Sequence, residues 1–280
     1  MDGNGRRMET WVDCIAEAPE GGKMVRRTMA FTYGVFCYGL SLGAFLYAAG
    51  FLGNFGVPKS LDSGPEKNFG AALLINAGLL GLFAVQHSVM AREWFKKAWT
   101  RIVPASVERS TYVLFSSVAL IALFWKWEPM GGEIWSVENP LGRVALWVLY
   151  GAGWTLVLLA TFLINHFDLF GLKQVWCVLR GVEYQGPKFR TPGLYRYVRH
   201  PLYVGWLTVF WAAPKMTIAH LVFAVATTGY ILVAIQFEER DLIQRHSEYA
   251  EYRRRVPMLV PGSVERVPAK IRRPAVNPAD

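Results

Sequence analysis

Long uncharged runs of apolar residues decide what this chain can fold into. A helix needs roughly 20 apolar residues to cross the hydrocarbon core of a bilayer. Met29 to Phe51, Gly70 to Met90 and Val144 to Leu163 meet that length without an acidic or basic residue, and Tyr112 to Trp125 is shorter but strongly apolar. Pro201 to Ala213 and Thr217 to Phe237 follow, separated by Pro214-Lys215-Met216. The first of these two is too short to cross unaided, so the pair reads as a helical hairpin with a proline-marked turn. The expected fold class is an all-α integral membrane protein of about five to six transmembrane helices.

Charge supports this reading. Only 18% of the 280 residues are charged and 53% are hydrophobic, against about 25% and 45–50% in a soluble domain; disorder is excluded on the same ground. The net charge of +9 is not a nucleic-acid footprint, because the basic residues are segregated by loop. With the N-terminus placed in the cytoplasm, 25 of the 30 Lys and Arg fall in cytoplasmic segments, leaving only Lys59, Lys67, Lys126, Arg143 and Lys215 outside. That asymmetry predicts cytoplasmic termini and a bacterial inner membrane. The first twenty residues lack an apolar core, so no cleavable signal peptide is expected. Cys14, Cys37 and Cys177 have no metal spacing, and no internal repeat suggests a transporter. The chain divides into an N-terminal segment (1–28), transmembrane helices with a cytoplasmic connector (29–192), a hairpin with its tail (193–261) and a basic extension (262–280) that could touch anionic lipid.

Polar residues at membrane depth are costly and mark function. Gln86-His87 closes the second span, Asn165-His166-Phe167-Asp168 closes the fourth, and Gly193 to Gly205 carries Tyr195, Arg199, His200 and Tyr203. All lie on the cytoplasmic side of the predicted topology. Singly, each has a bland reading: a histidine at a helix end is as a rule interfacial or capping, and Glu238, Glu239 and Asp241 beside Arg240 and Arg245 resemble a solvated helical face. Together they mean more. Pro201 at a helix start, with free N–H groups and Arg199 beside them, suits a carboxylate. Gly205 admits a ligand or another helix at close range. Tyr230, Ala234 and Glu238 share one helical stripe, which returns a carboxylate to the same mouth.

The motif Arg-His-Pro-x-Tyr-x-Gly, a short hairpin, Glu-Glu-Arg-Asp-Leu, and the tail Tyr249-x-x-Tyr252-Arg253-x-x-Val256-Pro257 resemble the membrane-embedded isoprenylcysteine carboxyl and phospholipid methyltransferases. Gln-His-Ser-Val-Met-Ala-Arg (86–92), Asn-His-Phe-Asp-Leu-Phe-Gly-Leu (165–172) and Phe-Trp-Ala-x-Pro-x-Met-Thr (210–217) are similar to the branch holding the methanethiol S-methyltransferases and NnrU-type proteins. The resemblance implies S-adenosylmethionine as methyl donor, bound between hairpin and tail by Tyr195, Arg199, His200, Leu202, Tyr203, Gly205 and the pair Glu238 and Glu239, of which Glu239 is preferred for a polar contact. It also implies a small thiol as acceptor, methanethiol going to dimethyl sulfide. Because a thiol is mostly protonated at neutral pH, a base is required, and His87 or His166 is the candidate, His166 oriented by Asp168. Gln86, Trp154, Asp168 and Trp206 are expected around the acceptor, the aromatic rings offering cation–π contact to a sulfonium. Alternatives remain open: another methyl acceptor (lipid amine, prenylcysteine, other thiol), or a non-enzymatic NnrU-like accessory protein.

Overall fold

The computed structural model describes residues 20–187 and 189–262. Cys14 and all of the expected basic extension except Gly262 lie outside them. The chain runs as α1 (Glu20–Gly53), α2 (Phe69–Met90), α3 (Glu93–Trp99), α4 (Ala105–Lys126), β1 (Glu133–Ser136), α5 (Pro140–Ile164), α6 (His166–Leu169), α7 (Leu172–Arg180), a 3-10 turn (Gly193–Arg196), α8 (Pro201–Trp211), β2 (Lys215–Thr217), α9 (Ile218–Arg245) and α10 (Tyr249–Arg255). Five helices, α1, α2, α4, α5 and α9, are long and apolar enough to cross a membrane; the chain is an integral, multi-pass membrane protein. At 1.5 Å per residue the 11 residues of α8 reach only about half-way through the bilayer, as the short first arm of the hairpin predicts.

Local chemistry fixes where the helices begin and end. Asn68, Asn139 and Thr217 accept side-chain hydrogen bonds from the N–H groups of Ala71, Gly142 and His220, satisfying donors that a helix leaves orphaned. Pro140 and Pro201 occupy first turns, where a missing N–H costs nothing. Asn165, at φ 144°, ends α5 and turns the chain sharply into α6.

Alternation of the long helices gathers 54–68, 127–139 and 212–217 at one end of the bundle and 91–104, 165–187, 189–200 and 246–262 at the other. The first end holds much of the apolar core. Phe51, Leu61, Leu123, Trp127 and Met216 are buried there, the first four in one apolar cluster with Phe124, Phe210 and Phe223. Asn76, inside a span, is satisfied twice by the Glu128 backbone, donating to its carbonyl at 2.7 Å and accepting from its N–H at 2.9 Å. The sequence gives no hint of strands, yet β1 and β2 pair antiparallel. The pairing has a cause: Ala212 to Thr217 is non-helical backbone within a membrane protein, and its polar groups need partners inside the protein. Val137 N–H and the Trp135 indole donate to the carbonyls of Pro214 and Ala213.

The α5–α8 crossing depends on two glycines. A Cβ on Gly205 would lie 2.9 Å from the Val157 nitrogen and 3.0 Å from the Gly153 carbonyl oxygen, and one on Gly153 would meet the Gly205 carbonyl at 3.1 Å. These obstacles are backbone and cannot rotate away. Gly205→Ala should therefore force the helices apart and cost about 1–3 kcal/mol, read as a lowered melting temperature in detergent.

Candidate active site

The polar end is organised around Glu239, whose side chain is 2% exposed. Its Oε1 accepts from Arg199 Nε at 2.7 Å and faces His200 Nε2 at 3.0 Å; its Oε2 pairs with Arg253 Nε at 3.1 Å. Arg199 continues into the tail, donating from one terminal nitrogen to the carbonyls of Arg253 and Val256. The backbone N–H groups of Arg199 and His200 donate to the carbonyls of Pro257 and Met258, and the Tyr252 hydroxyl donates to the Tyr195 carbonyl. Residues 249–258 are thereby laid across the start of α8. A buried carboxylate holding two guanidiniums and an imidazole is the arrangement in which desolvation is offset by several charge-assisted bonds.

Glu238, its neighbour, points elsewhere and accepts from the Tyr203 hydroxyl at 2.8 Å. Two further phenols converge on these acids. The Tyr195 and Tyr249 hydroxyl oxygens are buried and, among the described residues, have no hydrogen-bond partner. Burial pushes both phenols well above the ordinary range, the negative charges of Glu238 and Glu239 adding to it; Tyr252 is pushed up to about 12, chiefly by burial. Unpartnered buried hydroxyls are expensive, which sets these two phenols apart from the paired ones around them.

Helix α2 reaches the same end. Ser88 bonds the Tyr230 hydroxyl at 3.1 Å, and Arg92 pairs with Asp241 at 2.9 Å, tying α2 to α9. His87 stacks on Phe83, which meets Tyr230 edge-on. On its other side His87 faces α4: Ser116 Oγ lies 3.1 Å from Nδ1, and the Tyr112 hydroxyl lies over the ring, 3.0 Å from Nδ1 and 2.9 Å from Nε2. The Arg109 guanidinium covers the Tyr112 ring at 4.8 Å and donates to the Leu169 carbonyl at 2.7 Å. Tyr112, Tyr203 and Tyr230 lie within electrostatic reach of one another and of Glu238.

The remaining expected residues separate into three groups. Trp154 and Trp206 meet edge-on at 5.2 Å, with Phe45 on both, forming an aromatic wall about one turn deeper than Tyr203. Gly205 faces α5, and its missing Cβ makes room for a helix; the ligand contact expected of it gives way to packing. Leu202 is half-buried on the first turn of α8. Gln86 donates to the Met90 sulfur on its own helix. His166 and Asp168 form a separate structural station. His166 is buried between the Tyr38 hydroxyl at Nε2 (3.0 Å) and Thr161 at Nδ1 (2.9 Å) and stacks on Phe162; burial holds its imidazole below the ordinary histidine range. Asp168 binds Lys173, Gln174 and Tyr184 rather than orienting His166, because positions two apart on α6 do not face each other. His166→Ala should leave the Tyr38 hydroxyl without its imidazole partner over a cavity, while Thr161 keeps its bond to the Leu158 carbonyl, costing about 2–4 kcal/mol; the expected readout is a lowered melting temperature with donor affinity retained.

Tyr112, Arg109 and Arg253 are additions the sequence did not single out for the site. Tyr112 had been read only as the apolar start of a span; its place one turn after Arg109 is the single clue.

Comparison with known proteins settles the family. Residues 154–245, which contain the aromatic wall, α8 and both acids, match the isoprenylcysteine carboxyl methyltransferase (ICMT) family. A protein of Crocosphaera subtropica named methanethiol S-methyltransferase is 58% identical over 84% of this chain and 92% of its own length. The chain belongs to the methanethiol S-methyltransferase family. A further member, from Mycobacterium tuberculosis, is 52% identical over 85% of this chain and 98% of its own. More distantly, mouse Nurim is 31% identical over 67% of the chain and 78% of its own length. No solved structure matches. Membership of this family makes the chain a methyltransferase, and both Glu238–Glu239 and the Arg199–His200–Pro201 helix start fall within the matched segment.

Proposed function

We propose that this protein transfers a methyl group from S-adenosylmethionine to methanethiol, releasing dimethyl sulfide. The observation that carries the reading is the meeting, at one end of the bundle, of the Arg199–Glu239–Arg253 cluster with a second cluster, His87–Tyr112, through Tyr203, Tyr230 and Glu238. The excess of Lys and Arg in the loops of that end supports a cytoplasmic orientation for it and for both termini, and a bacterial inner membrane is the membrane proposed.

The residues fit the donor. The unpartnered Tyr195 and Tyr249 hydroxyls and the Glu238 carboxylate suit an ammonium, ribose hydroxyls and a carboxylate, and the segment 249–258 closes the pocket from above. Glu239 is already filled by three cationic or imidazole partners and positions Arg199, so Glu238 is the acid that meets the donor. When bound, S-adenosylmethionine supplies an electrophilic methyl on a sulfonium. Trp154, Trp206 and Phe45 offer an apolar wall for a thiol of this size and ring faces for positive charge. His87 stands on the opposite wall as the proton acceptor that an incoming thiol requires.

Headspace gas chromatography over purified protein in nanodiscs, with methanethiol and with or without added donor, tests the reading. Donor-dependent dimethyl sulfide is the expected result. Donor binding by calorimetry without any dimethyl sulfide would move the acceptor assignment to another nucleophile.

A further inference from the structure

The connector that follows α7 forms neither helix nor strand. Its residues Val182 to Pro187 and Arg190 are exposed, whereas Phe189 is half-buried. What covers Phe189 is the tail. Its ring centroid lies 5.5 Å from that of His246, 5.9 Å from Tyr249 and 5.6 Å from Tyr252, tilted on the imidazole and edge-on to both phenols. Tyr249 and Tyr252 share one face of α10 at i, i+3 and meet each other edge-on at 5.6 Å. Rings at these separations and angles attract through their quadrupoles as well as through buried area.

Helix α10 has seven residues, too few to persist in water unaided, so contacts with the rest of the chain set its place. These contacts divide in two. Charge and backbone bonds hold the later part, from Arg253 to Met258, against Arg199, His200 and Glu239. The earlier part has the Tyr252 bond to the Tyr195 carbonyl and the Phe189 ring. Tyr249 belongs to the earlier part and is 2% exposed. Its hydroxyl has no hydrogen-bond partner among the described residues, so ring packing, not a polar contact, fixes where it points. Tyr249 lies within electrostatic reach of Arg199, Glu238 and Glu239. We infer that Phe189 is a positioning residue for the methyl donor: wedged against Tyr249 and Tyr252, it seats α10 and holds the Tyr249 hydroxyl beside Arg199 and the acids of α9. This rests on the methyl-transfer reading above, in which that hydroxyl meets the donor. The role needs no contact between Phe189 and either reactant. Its loss therefore weakens donor binding and leaves the transfer step itself unchanged once the donor is seated.

Calorimetry with S-adenosylmethionine on the full chain in nanodiscs, paired with steady-state kinetics on methanethiol, tests the role. Phe189→Ala should weaken donor binding about tenfold, the scale of two lost ring contacts. Its donor KM should rise by a similar factor while kcat at saturating donor stays within about twofold of wild type, with the melting temperature close to wild type. Phe189→Tyr keeps the ring and should restore donor affinity. Tyr249→Phe should also weaken the donor, and the double variant Phe189→Ala/Tyr249→Phe should bind no more weakly than the poorer single variant, because both act through one hydroxyl. Amide hydrogen exchange without donor reads the seat itself: residues 249–252 should exchange faster in Phe189→Ala. Unchanged donor affinity in Phe189→Ala, a lowered kcat with an unchanged donor KM, no restoration by Phe189→Tyr, or additive losses in the double variant would each overturn the inference while the methyl-transfer reading stands. No donor binding by the wild-type protein would remove that reading, and the inference with it.

Discussion

Glu239→Gln is expected to be the most damaging conservative change in the molecule. It removes one negative charge from a side chain that is 2% exposed and leaves Arg199, itself 10% exposed, without a counter-charge. Breaking a buried ion pair from one side costs about 3–5 kcal/mol. Arg253, 46% exposed, contributes less because water screens it. Losing this anchor also releases Arg199 from the carbonyls of Arg253 and Val256, so the tail should lose its seat on α8. The expected result is a large fall in melting temperature together with a loss of donor affinity of about 100-fold or more, read by calorimetry. Glu238→Gln provides the contrast: near-normal melting, because its partner is a single phenol, with donor affinity reduced. If Glu239→Gln melts within a degree or two of wild type, the anchoring role assigned to Glu239 is wrong.

The second large effect falls on turnover rather than binding. His87→Ala removes the imidazole that faces Tyr112 and Ser116, and positioned proton transfer contributes about 10²–10⁴-fold. We expect kcat to fall within that range at neutral pH, with donor affinity held within about twofold, since the cofactor residues lie on α8, α9 and the tail. Parallel loss of binding and rate would show instead that His87 supports the fold. The comparison with His166→Ala is informative because both imidazoles sit between a hydroxyl and a tyrosine, in different geometries. The Tyr38 hydroxyl meets His166 at Nε2 alone, whereas the Tyr112 hydroxyl approaches both ring nitrogens of His87.

How much of this was legible beforehand follows from the range of each interaction. The spans were, because a run such as Gly70 to Met90 declares itself by composition alone. Helix starts at Pro140 and Pro201 were also readable, since proline acts on its own residue. The choice between Glu238 and Glu239 was not. It depends on Arg253 and on carbonyls more than fifty residues from Arg199, placed by a tail whose path no local pattern reveals. The sequence preference for Glu239 as the cofactor contact gives way to Glu238 in the function proposed above, because Glu239 is occupied by Arg199, His200 and Arg253. His166 looked catalytic because its cage comes from Tyr38, on a different helix and 128 positions away. Gly205 fits its motif and yet serves a helix crossing, for the same absent Cβ suits a ligand and a neighbouring backbone equally. Strands β1 and β2, of four and three residues, are too short to generate an alternation that could be read.

The aromatic end of the bundle, with Trp127, Phe51 and Met216 buried in it and the β1–β2 pair bracing its turns, has a mechanical consequence. Helix α8 is only 11 residues long, and the strand that follows it supplies the anchorage that a full-length span would otherwise provide. A load on either turn is therefore taken up by the ladder before it reaches the short helix.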